Sequence, residues 1–236
     1  ECALTNPKRI IHEFLVEKKL EIFYQNFFKK YKITDNKKII FKVSNKENIL
    51  KRIGRYAKYQ GVALMVNKLN FGDINDLFNS KKKHNLILII DKMNDPLNYG
   101  AILRTAYAFG IKNILLLNQY MPEENAYIAS MASGALEKVN LIKISNLISV
   151  IKKLKKENWW ILGLESKDLE NCENIRNKNI KYDKTALVIG SENEGLRKLV
   201  RLNCDVLVRI SMNSKIVDSL NVVQATSIAL HEICNK

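Results

Sequence analysis

Glycine and proline are scarce in this chain, nine and three among 236 residues. With apolar residues at 47%, that excludes a collagenous or low-complexity polypeptide and predicts a folded protein, either one large domain or a small one joined to a medium one. Long hydrophobic runs are missing too. The apolar runs, such as those at 86–90 and 186–189, are strand-length and far short of the about 20 residues a membrane-crossing helix needs. The four cysteines, Cys2, Cys172, Cys204 and Cys234, are scattered without a Cys-x-x-Cys pair, which argues against a zinc site or a disulfide framework and for a reducing compartment. His12, His84 and His231 have no metal spacing and no nucleophile signature, so neither a metal nor a hydrolase triad is expected. Gly-x-Gly-x-x-Gly after the first long strand and Gly-x-x-x-x-Gly-Lys-Ser/Thr anywhere are both lacking, which disfavours a dinucleotide enzyme or a P-loop NTPase. The first residue is Glu1 and no charged-then-apolar leader follows it; any targeting peptide is expected to have been removed or never included. The expected compartment is the cytoplasm of a bacterium or, in a eukaryote, a mitochondrial or plastid matrix.

What the chain has in excess is positive charge. Its formal net charge is +15 and its pI about 9.6, a balance suited to a polyanionic partner. Residues 1–85 carry 19 Lys and Arg against 8 Asp and Glu, a net of +11, whereas the remainder carries 20 against 16, a net of +4. A uniform lysine bias would raise both parts, so the asymmetry points to an N-terminal module that faces nucleic acid. The lysines at 152–156 lie instead on a helical pattern and read as a solvated face.

Period and punctuation divide the chain. Ile10, Ile11, Phe14 and Leu15 follow Asn6-Pro7 at spacing that predicts a helix starting near the proline. A strand is predicted at 39–43, a basic helix at 49–56, and a strand after Gly61 ending near Val66. Lys51, Arg52, Arg55 and Lys58, on and just beyond that basic helix, are the candidate RNA contacts. The domains expected are 1–68, a polar connection at 69–85, and 86–236. In the last of these, strands at 86–90, 113–117, 141–144, 159–164, 186–189 and 206–210 alternate with helices near 99–109, 126–136, 147–156 and 196–203, as in an α/β domain with a covered parallel sheet. A final helix at 221–234 is apolar on more than one face, which suggests burial against both the sheet and a second subunit.

Three segments carry the chemistry: Asn98-Tyr99-Gly100-Ala101-Ile102-Leu103-Arg104-Thr105-Ala106, Gly190-Ser191-Glu192-Asn193-Glu194-Gly195-Leu196-Arg197, and Ser219-Leu220-Asn221-Val222-Val223. Each puts a small or polar residue where an apolar strand ends or a helix begins, where backbone can approach a ligand closely. In order and spacing they resemble the three signature motifs of the SpoU (TrmH-like) RNA ribose 2′-O-methyltransferases, over residues 86 to the C-terminus. The resemblance implies a SPOUT-type domain with a deep C-terminal trefoil knot, S-adenosyl-L-methionine as cofactor, RNA as substrate and a homodimer. Residues 1–68, with Asn6-Pro7 and Tyr59-Gln60-Gly61-Val62, are similar to the small L30-like substrate-binding domain that precedes many such catalytic domains; relatives commonly have His where this chain has Tyr59.

Carried over by residue, the resemblance implies that Gly190, Ile210, Met212 and Leu220 hold the cofactor, with Gly190 also readable as a turn glycine. Arg104 matches the arginine placed at the 2′-OH or its neighbouring phosphate; a guanidinium of pKa above about 12 is mostly a cation that fixes phosphate. Asn98 would hold Arg104 or the ribose, or cap its helix. Glu192 resembles the carboxylate that orients the arginine or the substrate, while Glu194 could simply favour a helix N-terminus. Ser219 and Asn221 match the polar pair of the third motif, where Val223 stands in place of a common serine. The chain departs from the pattern at Ser211, where the family usually has proline, and at 213–218, a loop without glycine and one residue longer. The expected activity is 2′-O-methylation in structured RNA, nearest the branch acting on a guanosine of large-subunit ribosomal RNA. A transfer-RNA enzyme, or a non-catalytic RNA-binding or assembly factor on the same fold, is the alternative.

Overall fold

The computed structural model describes residues 1–33, 39–54, 59–79, 86–166, 171–176, 183–191, 194–213 and 219–235. Internal contacts divide the chain into two compact units, one formed by Glu1–Asn70 with Glu124–Lys138, the other by Phe71–Glu123 with Val139–Lys236.

In the first unit β1 (Ile11–Val16) is the middle strand of three, parallel to β2 (Ile40–Val43) and antiparallel to β3 (Val62–Val66). A helix, Glu21–Lys30, packs Phe28 onto a core of Leu4, Ile11, Phe14, Val16 and Ile33. The expected helix after Pro7 is therefore a strand. Ile10, Ile11, Phe14 and Leu15 do recur at helical spacing, but five of the six residues of β1 are buried, which a central strand with both faces covered also produces. Long-range pairing on both edges decides against the local pattern. The basic helix is Lys46–Ile53, started by Asn45, whose side chain accepts from the Asn48 amide.

The first unit also buries charge. Arg9, 2% exposed, donates Nη1 to Glu124 at 2.6 Å and to the Asn67 carbonyl at 2.7 Å, and Nη2 to Glu137 at 2.6 Å. Asn6 Nδ2 donates to the same Glu137 at 2.7 Å. These bonds fix Glu124–Lys138 within this unit. The helix expected at 126–136 is broken there: Ala126–Ala132 ends at Ser133 and Gly134, both left-handed at φ 47° and 88°, before a 3₁₀ turn at Ala135–Glu137.

The second unit is a parallel sheet of seven described strands, β4 (Leu86–Ile90), β5 (Asn113–Leu117), β6 (Asn140–Ile144), β7 (Trp160–Leu164), β8 (Cys172–Asn174), β9 (Thr185–Ile189) and β10 (Val206–Arg209). Their order across the sheet is β6-β5-β4-β9-β7-β10-β8. Every described pairing among them is parallel. β4, β5 and β9 are buried almost throughout, as strands covered on both faces should be. The segment read as a connection contains a helix, Ile74–Asn79, whose Leu77 joins the core beside Ile87 and Ile142. β8 and this helix were not anticipated, being short and polar.

Candidate functional site at the carboxyl ends of the strands

In an open parallel sheet the crevice for ligands lies beyond the carboxyl ends of the strands. Here a pocket opens beyond β7, β9 and β10. Leu164, Glu165 and Ser166 line it from the first, Ile189, Gly190, Ser191 and Gly195 from the second, Ile210 and Met212 from the third, and Ser219, Leu220, Val222 and Ala225 close it. Four residues named from the motif resemblance as cofactor ligands, Gly190, Ile210, Met212 and Leu220, thus line one cavity together with Ser219. The walls are mostly apolar and the edges polar, a combination that fits an adenosine with a charged tail.

Gly190 is fixed by the backbone itself. A Cβ there would lie 2.1 Å from the Gly195 carbonyl carbon, because the loop folds back so that Ser191 and Gly195 exchange backbone hydrogen bonds at 3.1 and 3.0 Å. Gly195 has φ 67°, the left-handed region that favours glycine. The two glycines make a tight loop possible, and that loop forms one side of the pocket.

The first-motif helix, Pro96–Ala108, starts with Asp95 as its cap and Pro96 in its first turn. Asp95 accepts from the amides of Leu97 and Asn98, so Asn98 is not the cap of its helix. Its side-chain oxygen instead accepts from Asn221 Nδ2 at 3.3 Å, while Asn221 Oδ1 accepts from the Val223 amide at 2.8 Å and caps the final helix, Val222–Cys234. That pair joins the first and third motifs. Arg104 lies on the same helix as Asn98, exposed, and among the described residues it makes no hydrogen bond or ion pair. Its guanidinium is available to a ligand. Ser219 is exposed at the pocket rim. Glu192, and residues 214–218 of the departing loop, lie outside the described residues.

Of the candidate RNA contacts, Lys51 is exposed, whereas Arg52 donates to Glu13, a carboxylate only 3% exposed that also pairs with Lys42 at 2.6 Å. Arg52 thus has a structural partner, while its side chain stays 54% exposed. Arg55 and Lys58 lie outside the described residues.

Two carboxylates at strand ends were missed. Asp91, fully buried just after β4, accepts from Arg197 Nη2 at 2.5 Å and from Nε at 3.0 Å. This bond, opposed by burial, raises the Arg197 pKa and keeps it a cation. Arg197 follows the tight loop, so the pair ties that loop to β4. Glu165, 2% exposed, follows β7; it accepts from the Ser166 amide at 3.0 Å and from Arg201 at 3.3 Å. A Cβ on Gly195 would lie 3.0 Å from Glu165 Oε1. The signal available in the sequence was positional: each acid directly ends an unbroken apolar run in a parallel-sheet pattern, where the ligand crevice opens.

The pattern of the SpoU rRNA Methylase family matches residues 85–231. A putative TrmH family tRNA/rRNA methyltransferase of Staphylococcus aureus is 33% identical over 184 residues, covering 76% of this chain and 72% of that protein. A Neisseria meningitidis protein named 23S rRNA (guanosine-2′-O-)-methyltransferase RlmB is 31% identical over 231 residues, 96% of this chain and 88% of its own length. Among solved structures, an AdoMet-bound rRNA methyltransferase from Sinorhizobium meliloti superposes with a TM-score of 0.78 at 20% identity, over 99% of this chain and 82% of that one. At that identity the likeness speaks for the fold.

Proposed function

This chain belongs to the SpoU rRNA Methylase family, and on that footing we propose that it is an S-adenosylmethionine-dependent RNA methyltransferase. The reaction we assign is 2′-O-methylation of a ribose in structured RNA, with a guanosine of large-subunit ribosomal RNA as target. The observation that carries this reading is the joint lining of one strand-end pocket by Gly190, Ile210, Met212 and Leu220. The relative with a large-subunit rRNA name matches nearly the full chain, N-terminal part included, which favours that substrate.

When bound, the cofactor supplies a methyl group on a positive sulfur, already a good leaving group. The demand on the chain is then positioning. Leu164, Ile189, Ile210 and Leu220 supply apolar walls that exclude water. Glu165, paired with Arg201 at 3.3 Å, places a buried carboxylate at the pocket edge, an acceptor suited to ribose hydroxyls. Asn98 and Asn221 hold the first and third motifs together. Arg104, free of protein partners among the described residues, fixes the ribose-phosphate of the substrate as a bidentate cation.

Two structural features belong to the same proposal. The deep C-terminal trefoil knot rests on the likeness to the family, with which the strand order, β9 between β4 and β7 and β10 between β7 and β8, is compatible. A homodimer through the final helix is supported by its apolar residues, though not all face outward. Ala229 is wholly buried within the protomer, whereas Ile228 is 37% exposed, so Ile228→Lys is the informative substitution and light-scattering mass its readout. A monomeric, fully active wild type removes the dimer.

The test of function is to map 2′-O-methyl sites in ribosomal and transfer RNA from cells with and without the protein, and to repeat the transfer with purified components. Loss of one ribosomal site supports the reading in full. Loss confined to transfer RNA redirects the substrate, and unchanged maps with no transfer in vitro overturn the enzyme.

A further inference from the structure

The helix Glu21–Lys30 in the first unit carries more aromatic surface than its core requires. Phe28 is buried at 4% exposure, and Tyr24 packs on Phe14 at 4.9 Å between ring centroids. These two anchor the helix. Phe23 and Tyr31, by contrast, remain 55% and 50% exposed. Phe23, Phe27 and Tyr31 recur every four residues and so fall on one flank, about 6 Å apart along the axis. The rings form a continuous series, Phe23 to Tyr24 at 5.0 Å, Tyr24 to Phe27 at 6.2 Å and Phe27 to Tyr31 at 4.5 Å. The series is held at its inner edge by the core and open at both ends.

The same surface is strongly basic. Between residues 18 and 32 there are five lysines against the single acid Glu21. Lys29, Lys30 and Lys32 are exposed, and Lys30 Nζ lies 5.5 Å from the Tyr31 ring centroid. Rings interleaved with cations match a polyanion whose monomers each have a flat face.

We propose that the Phe23–Phe27–Tyr31 flank is a stacking platform for unpaired bases of the RNA substrate, with Lys29, Lys30 and Lys32 holding the strand's phosphates. The proposal rests on RNA being the substrate, and it names a recognition surface separate from the strand-end pocket. Each base stacked on a ring adds affinity with little sequence preference, so this surface grips an unpaired segment of the RNA rather than reading base identity.

The experiment uses the full-length protein and a fluorescently labelled, unstructured RNA of about 12 nucleotides, a length within the reach of such platforms. Anisotropy is followed across a salt series with no cofactor present. Phe23→Leu with Tyr31→Leu keeps apolar area and removes both rings; binding should weaken at least about tenfold, with the slope of log affinity on log salt unchanged. Phe23→Trp with Tyr31→Trp should restore wild-type affinity or exceed it. Lys29→Gln with Lys30→Gln should instead flatten the slope by about 1.4, two phosphates' worth. Leucine variants that bind as tightly as wild type, or tryptophan variants that fail as badly as leucine, overturn the platform. Because no methyl transfer is read, that failure stays distinct from failure of the enzymatic assignment, which shows as absence of transfer by the wild type.

Discussion

The two units of this protein bury charge in different places. In the first, the charged groups sit within the fold: Glu13 lies in the middle of β1 between Lys42 and Arg52, and Arg9 is enclosed by Glu124, Glu137 and Asn67. In the second, β4, β5 and β9 are apolar apart from Asn113 and Thr185 at the first positions of β5 and β9, and the buried acids Asp91 and Glu165 stand just past strand ends. A charge inside a sheet must be neutralised to be tolerated at all and is committed to the fold. The acids of the second unit are paired as well, Asp91 with Arg197 and Glu165 with Arg201, but Glu165 also lines the pocket. The expectation is that removing charges from the first unit costs stability, and that removing the charge of Glu165, which lines the pocket, costs ligand recognition.

The largest effect expected is from Arg9→Met. It leaves two carboxylates, 19% and 8% exposed at Glu124 and Glu137, without their cation, and truncating one partner of a buried ion pair costs about 3–5 kcal/mol. Urea unfolding should report it, and adding Glu124→Gln and Glu137→Gln should recover a large part. A loss below about 1 kcal/mol would place the network among surface pairs and break the contrast.

Arg104→Ala comes next and acts in the opposite sense. The side chain is exposed and makes no bond among the described residues, so stability and cofactor affinity should hardly move. Single-turnover methyl transfer should fall about a hundredfold to a thousandfold, the range seen when a positioned donor is removed from a reacting centre. Near-wild-type transfer would exclude Arg104 from the site.

The same division explains what could be read in the sequence. Most strands of the second unit, β4, β5 and β9 above all, are apolar runs between turn residues, and the motif loops stand at strand ends, so most of the sheet and the pocket were visible, β8 excepted. β1 was not: its buried Glu13 and flanking Arg9 interrupt the apolar run, and the remaining Ile10, Ile11, Phe14 and Leu15 happen to match a helix. Only pairing with β2 and β3, distant in sequence, reveals the strand. Asp91 and Glu165 escaped for a related reason, since one acid after a strand looks like a polar loop residue until its arginine is brought in from beyond residue 196.

Glu165→Gln sharpens the comparison with a smaller effect. The amide keeps the size and a carbonyl for the Ser166 amide but removes the charge at the pocket edge. Calorimetric affinity for S-adenosylmethionine should fall about tenfold, the worth of one charge-assisted hydrogen bond. Glu13→Gln, the matched change in the first unit, should leave that affinity unaltered. Equal effects from the two substitutions would show that buried charge in both units serves the same end.

The smallest effect expected appears only in acid. The hydrogen bond from Lys42, opposed by burial and reinforced by the charges of Arg52 and Lys42, holds the Glu13 carboxyl below its ordinary value. A carboxyl whose folded pKa is depressed stabilises the fold fully above its unfolded value of about 4.3, and that contribution drains away as pH falls through the folded value. The first unit should therefore loosen on acidification below about pH 4. Hydrogen exchange at the β1 amides reports this unit, while both tryptophans, Trp159 and Trp160, lie in the second. In the wild type, β1 protection should decline in acid before tryptophan fluorescence changes. In Glu13→Gln, protection should be lower at neutral pH and should lack that acid step, because the titrating group is gone. A wild-type β1 that keeps its protection until the tryptophans respond, with the same profile in the variant, would mean that the interior charge of the first unit contributes nothing of its own to the stability of the sheet.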